Sequence, residues 1–165
     1  MTVSDRAPDD HNLQRLDPRV RILWVAQSAL AAVLIGGGLF AVNRVLEVLP
    51  TPVPVGVGVA VLLVGGALAV LRYRAWGYEV RDDGIYLERG VVRQVRTVVP
   101  FVRIQHVDSS RGPVERLAGL ATTVVYTAGS RGADVTVPGL TPVRADDLRE
   151  RLKGLAIRSE GEDAV

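Results

Sequence analysis

Two stretches without a single charged side chain dominate the first half of this chain. ILWVAQSALAAVLIGGGLFAV fills residues 22–42, 21 positions, and VPVGVGVAVLLVGGALAVL fills residues 53–71, 19 positions. At about 1.5 Å rise per residue, each is long enough as a helix to cross a hydrocarbon core of roughly 30 Å. A chain of 165 residues has too little left over to wrap two such helices as a soluble core. Both runs therefore predict transmembrane helices, joined into a hairpin over residues 22–71 by the short connector NRVLEVLPTP. A cleaved signal peptide does not fit, because about 21 largely polar residues precede the first run and a second span follows it.

Charge sets the expected orientation. The connector carries only Arg44 and Glu47, whereas Arg15, Arg19 and Arg21 precede the first span and Arg72 and Arg74 follow the second. A positive excess on both outer flanks places the tail of residues 1–21 and everything after the second span in the cytoplasm, beneath a cell (inner) membrane. Trp24 and Trp76 then fit an aromatic belt at that face. Pro50, Pro52 and Pro54 punctuate the connector and start the second helix, where a missing N–H costs little.

Gly36, Gly37 and Gly38 lie inside an apolar span with no Lys-Ser/Thr after them, so a phosphate loop is excluded. Small residues instead recur every four positions, as Ser28, Ala32 and Gly36, as Gly56 and Ala60, and as Gly65 and Ala69. That spacing predicts close helix packing, with lateral assembly of copies as one form of it.

The remainder offers little chemistry. Cysteine is absent, which removes disulfides and thiolate ligands, and the two histidines, His11 and His106, are too far apart in sequence to read as a metal motif. From Trp76 onward there are 13 basic and 13 acidic residues, a balance that predicts no nucleic acid partner. No cofactor motif is present.

After Trp76 the texture changes to short β-prone segments bounded by turn residues. WGYEV and IYLER flank Asp82-Asp83-Gly84 as a hairpin, with Ile85 and Leu87 on one face and Tyr86 and Glu88 on the other. RQVRTVVPF, VRIQHVDSS, ATTVVYT and DVTVP bring the count to six strands, and in the last Val135 and Val137 share a face. GPVERLAGL reads as one or two helical turns anchored by Val114, Leu117 and Leu120. From Pro142 an amphipathic helix follows, with Val143, Leu148, Leu152 and Leu155 near one face, and the residues after 157 read as a polar, frayed tail.

Together Pro100, Arg103, Ile104, Gln105 and Val107, then Gly112, Pro113, Glu115, Arg116, Leu117, Gly119 and Leu120, then Thr127, Ala128 and Gly129 carry a resemblance. The segment 76–157 resembles the bacterial pleckstrin-homology (PH)-like domains, and with the preceding helix pair it is similar to their membrane-anchored, YdbS-like class. The resemblance implies an α+β module, a partly open antiparallel β-barrel of about seven strands capped by a C-terminal helix. It also raises lipid binding, but the eukaryotic lipid site lies around the first hairpin, where this chain has two acids, so that site is not carried over.

His106, Asp108 and Ser109 invite a hydrolytic reading. Alternation along a strand puts His106 and Asp108 on one face with Ile104 and Ser109 on the other, which separates the nucleophile from its base. Glu115 and Arg116 are neighbours on a helix and do not face each other, so Glu115 is expected to act locally at the helix start.

The sequence thus predicts a transmembrane hairpin followed by a cytoplasmic PH-like module that binds a protein or lipid partner without catalysis. Arg103, Gln105 and Arg116 are its candidate partner contacts, and Arg72, Arg74, Arg89, Arg93 and Arg96 are candidates for the membrane surface. Besides the lipid bilayer, the expected partner is a membrane protein or a second copy. Two alternatives remain: a structural subunit assembling through its small-residue helix faces, and a hydrolase using His106 and Asp108.

Overall fold

A computed structural model of the chain describes residues 13–128 and 134–162. His11, Gly129 with the rest of the glycine-rich loop, and the last three residues of the expected tail lie outside the described residues.

Helix α1 (Pro18–Leu46) starts where Pro18 can occupy the first turn without losing a hydrogen bond, and the Asp17 carboxylate accepts from the Arg19 N–H at 2.9 Å. It stops at Glu47, whose left-handed backbone (φ 49°) donates its N–H to the Asn43 carbonyl. Asn43 then clamps the connector, its amide donating to the Leu49 carbonyl at 2.9 Å and its Oδ1 accepting from the Leu49 N–H at 2.8 Å. Helix α2 (Pro52–Arg74) returns antiparallel in sequence to the same end of the molecule.

The two helices are about 43 Å and 35 Å long at standard rise. Their outer surfaces are apolar and uncovered, with Leu30, Val33, Leu34 and Leu63 each at least 60% exposed. Such a surface is costly in water and favoured in hydrocarbon, and both helices meet the length and hydropathy requirements of membrane spans. The protein is a membrane protein, and these two helices are its candidate spans.

Among the described residues six strands follow in two open three-stranded antiparallel sheets. The first contains β1 (Gly77–Val80), β2 (Gly84–Arg89) and β3 (Val95–Pro100), and the second β4 (Ile104–Ser110), β5 (Ala121–Thr127) and β6 (Val135–Leu140), each in that order. A 3-10 turn at Phe101–Arg103 carries the chain from one sheet to the other, and β3 and β4 do not pair. The seven-strand barrel implied by the resemblance is therefore not what the described residues form. The six strands themselves form where the alternation predicts them.

The module's core lies between the sheets and helix α4 (Pro142–Glu162). Ile85 and Leu87 from β2, Val125 from β5 and Val135 and Val137 from β6 are all buried, as the period of two requires. In α4 the buried face is Ala145, Leu148, Leu152 and Ala156, a spacing of three, four and four. Val143, expected on that face, is 69% exposed, and Leu155 is only partly buried. A small residue is favoured at the closest approach, where the Thr123 hydroxyl reaches the Ala145 carbonyl. The helix continues to Glu162, where the sequence reading places a frayed tail.

The segment before α1 belongs to this core. Gln14 and Tyr78 exchange backbone hydrogen bonds at 2.8 and 3.1 Å, which adds a short pairing to the free edge of β1. Leu16 and Val20 are each 2% exposed, and the Asp17 N–H donates to the Gly139 carbonyl on β6. Arg144 on α4 donates to the Arg15 carbonyl and to the Tyr78 hydroxyl, while Tyr73 on α2 donates to the Leu16 carbonyl. Trp76 is also core, 5% exposed, rather than part of an interfacial belt. Between the end of α2 at Arg74 and the start of β1 at Gly77, its ring turns into the module.

Candidate functional site

Among the described residues strand β4 lies at the edge of its sheet, paired only with β5, and an open groove of about 480 Å³ separates it from α4. Gln105, His106 and Asp108 line one wall, and Arg149, Lys153 and Ile157 line the other. A register shift between Ile104 and His106 shapes the first wall. It breaks strict alternation, so that Ile104 and Val107 both point inward while Gln105, His106 and Asp108 are exposed. The expectation that His106 and Asp108 share a face with Ile104 is corrected by this bulge.

The two do meet each other, His106 Nε2 lying 2.8 Å from Asp108 Oδ1, and the imidazole stacks on Tyr126 across the strand pair with ring centroids 6.0 Å apart. Ser109, beyond the buried Val107, faces the other way, opposite the buried Thr123. Among the described residues no hydroxyl side chain lines the groove. The arrangement offers a surface His–Asp contact and an aromatic shelf. Among the described residues no cluster of three or more metal-binding side chains occurs.

Of the three candidate partner contacts, Gln105 lines the groove. Arg103 sits in the 3-10 turn leading into β4, and Arg116 lies on α3 (Pro113–Ala118), past the far end of the strand. The structure does not bring Arg116 into that groove. Its neighbour Glu115 is engaged locally, accepting from the Gly112 N–H at 2.8 Å and from the Thr122 hydroxyl. Leu120 anchors α3 at full burial, but Val114 and Leu117, expected to help, are 51% and 90% exposed. The left-handed turn at Gly119 brings only the C-terminal end of this short helix to the core.

The arginines of the membrane-surface set take different surroundings. Arg72 stacks over Trp24 at 4.2 Å, Arg96 pairs with Glu88 at 2.7 Å, and Arg93 is exposed in the turn between β2 and β3. Arg74 ends α2, and Arg89 ends β2. The small residues of the spans divide likewise. Ala32 and Gly36 are buried, a Cβ on Gly36 would lie 2.8 Å from Gly58 Cα, and one on Gly65 would lie 2.9 Å from Ser28 Cβ. These contacts hold the hairpin together from within, with Ala69 buried nearby, whereas Gly56 and Ala60 remain on the outer surface.

The family model described as "Bacterial PH domain" matches residues 20–156, which takes in both helices and the module. The chain belongs to the bacterial PH domain family. This bacterial PH domain protein is also 37% identical over 102 residues to the UPF0699 transmembrane protein YdbS of Bacillus subtilis (strain 168), a match covering 59% of this chain and 62% of that protein. No solved structure matches significantly.

Proposed function

We propose that this protein is a membrane-anchored, non-catalytic interaction module at the cytoplasmic face of a bacterial membrane, and that it receives an extended segment of another membrane protein along β4. The observation that carries this reading is the unpaired edge of β4 beside the β4–α4 groove. An exposed edge offers a partner main-chain hydrogen bonds, and side-chain pockets beside it supply selectivity. Asp108 on the strand and Arg149 and Lys153 on the facing wall of the groove present both signs of charge, and Ile157 adds an apolar contact on that wall. Arginines at both outer helix ends support the cytoplasmic placement, and the buried seam between hairpin and module supports a fixed presentation of the edge.

A photoreactive residue at position 105 of the full chain, crosslinked in native membranes, tests the reading against the same probe at Arg116. A defined adduct from position 105 that disappears with Ile157→Asp, and none from position 116, is the expected result. Equal labelling from both positions, or no adduct at 105, would sink it.

A further inference from the structure

The strand register fixes which end of the module meets the bilayer. The chain leaves α2 at Arg74 and enters β1 at Gly77, and Gly77 pairs with Glu88, so the end of β2 comes back to the level of the helix ends. Arg89 pairs with Val95, which leaves residues 90–94 as a turn at that same level. Gly90 holds the turn with φ 107°, where any Cβ would overlap the Arg93 carbonyl. Its tip carries Val92, 97% exposed, beside Val91. Apolar side chains at a turn tip are costly in water and favourable in a leaflet.

Between this turn and α2 lies a cleft of about 540 Å³, lined among others by Leu68, Arg72, Trp76, Arg89, Val91 and Pro138. It shares Leu68 and Arg72 with a second groove of about 360 Å³, which passes Trp24, Ala31 and Gly65 along the seam of the two spans. One space is thus basic, and the other, which adjoins it at Leu68 and Arg72, follows the apolar seam of the spans. Neither is lined by an acidic side chain. Glu88, the acid next to Arg89 in sequence, is taken by Arg96. Arg89 has no ion pair among the described residues, and Trp24 orients the Arg72 guanidinium without neutralising it.

Two unneutralised guanidinium groups at the mouth of an apolar groove match a phosphodiester carrying an acyl chain. We propose that these adjoining clefts bind one anionic phospholipid of the leaflet on the module's side, its phosphate held by Arg72 and Arg89 and one chain laid along Leu68, Ala31 and Gly65. The site is separate from the acid-bearing β1–β2 turn. It rests on the reading of the chain as a membrane-anchored module, but not on the β4 contact.

The test is native mass spectrometry of the full chain in mild detergent, titrated with phosphatidylglycerol, with phosphatidylcholine of the same chains, and with inorganic phosphate. The expected result is one phosphatidylglycerol retained about tenfold better than phosphatidylcholine, with no competition by phosphate. Arg72→Gln combined with Arg89→Gln removes that preference, and Arg96→Gln, whose arginine is already paired, keeps it. Ala31→Phe fills the groove and lowers phosphatidylglycerol retention with both arginines in place. Retention unchanged by Ala31→Phe, or a preference lost equally with Arg96→Gln, overturns the site, and Ala31→Phe decides alone if the double variant fails to fold. The crosslink from position 105 is read on the same preparations, so loss of the lipid site and loss of the β4 contact are told apart.

Discussion

Gly139→Ala tests the seam between the hairpin and the module. Gly139 sits in β6 with φ 65°, in the left-handed region, and an added Cβ would lie 2.7 Å from both Cβ and Cγ2 of Val20 in the first turn of α1. The left-handed backbone costs a non-glycine residue about 1 to 2 kcal/mol. Val20 is 2% exposed and cannot swing away, so the clash adds an overpacking cost of about 1 to 3 kcal/mol. Together they predict a loss of about 2 to 5 kcal/mol, and at about 2 to 4 °C per kcal/mol a fall in Tm of roughly 10 °C. Thermal unfolding in detergent, followed by tryptophan fluorescence, reads it through the buried Trp76. Gly154→Ala is the matched comparison: that glycine lies in α4 with nothing within 4 Å of its added Cβ, and the change is expected to be neutral or stabilising by about 0.5 to 1 kcal/mol. If Gly139→Ala melts within about 1 °C of the parent, Val20 does not lock α1 to β6 and the reasoning fails.

Two further outcomes follow from the geometry. Gly36→Ala forces its Cβ against the Gly58 backbone, which cannot yield as a side chain would, so the hairpin loses about 1 to 3 kcal/mol; unchanged heat stability in detergent would show that the spans do not pack at Gly36. The Tyr86 hydroxyl donates to Asp83 at 2.6 Å, and this hydrogen bond to a carboxylate raises its pKa above the ordinary value near 10. Because the folded value is raised, the hydrogen bond contributes stability at pH below the ordinary tyrosine value, and the contribution is lost as pH rises through the folded one. Tyrosinate absorbance compared with Tyr86→Phe should place this titration higher than in Asp83→Asn, and equal titration in both would refute the assignment.

The spans were legible because a charge-free run is a signal of length alone, independent of what packs against it. The strands were legible because residues such as Val135 and Val137 alternate with an exposed Thr136. Less could be read where tertiary contact overrides local pattern. LQRLDPRV, residues 13–20 at the entry to α1, has neither period, yet Leu16 and Val20 enter the core, because the Gln14 bridge and Asp17 hold that segment against β1 and β6. The phase of α4 favoured Val143 on hydrophobicity, but close approach to β5 selected Ala145. At the candidate sites, Gln105 stood out in sequence, whereas its groove depends on a bulge and on α4, more than forty residues away. Arg72 and Arg89 were legible as basic residues near a membrane; only the β1–β2 register reveals that they border one cleft.

The clasp of residues 13–17 also has a mechanical meaning. Both helices enter the module through packed side chains, so the hairpin and the sheets turn as one lever. Membrane helices change tilt when bilayer thickness no longer matches their apolar length. A strand of six residues extends about 20 Å from the helix ends, so a tilt of about 10° carries its far end roughly 3 to 4 Å sideways. The exposed edge of β4 would move by a comparable step, and a thinner or thicker membrane would present that edge to its surroundings at a different angle.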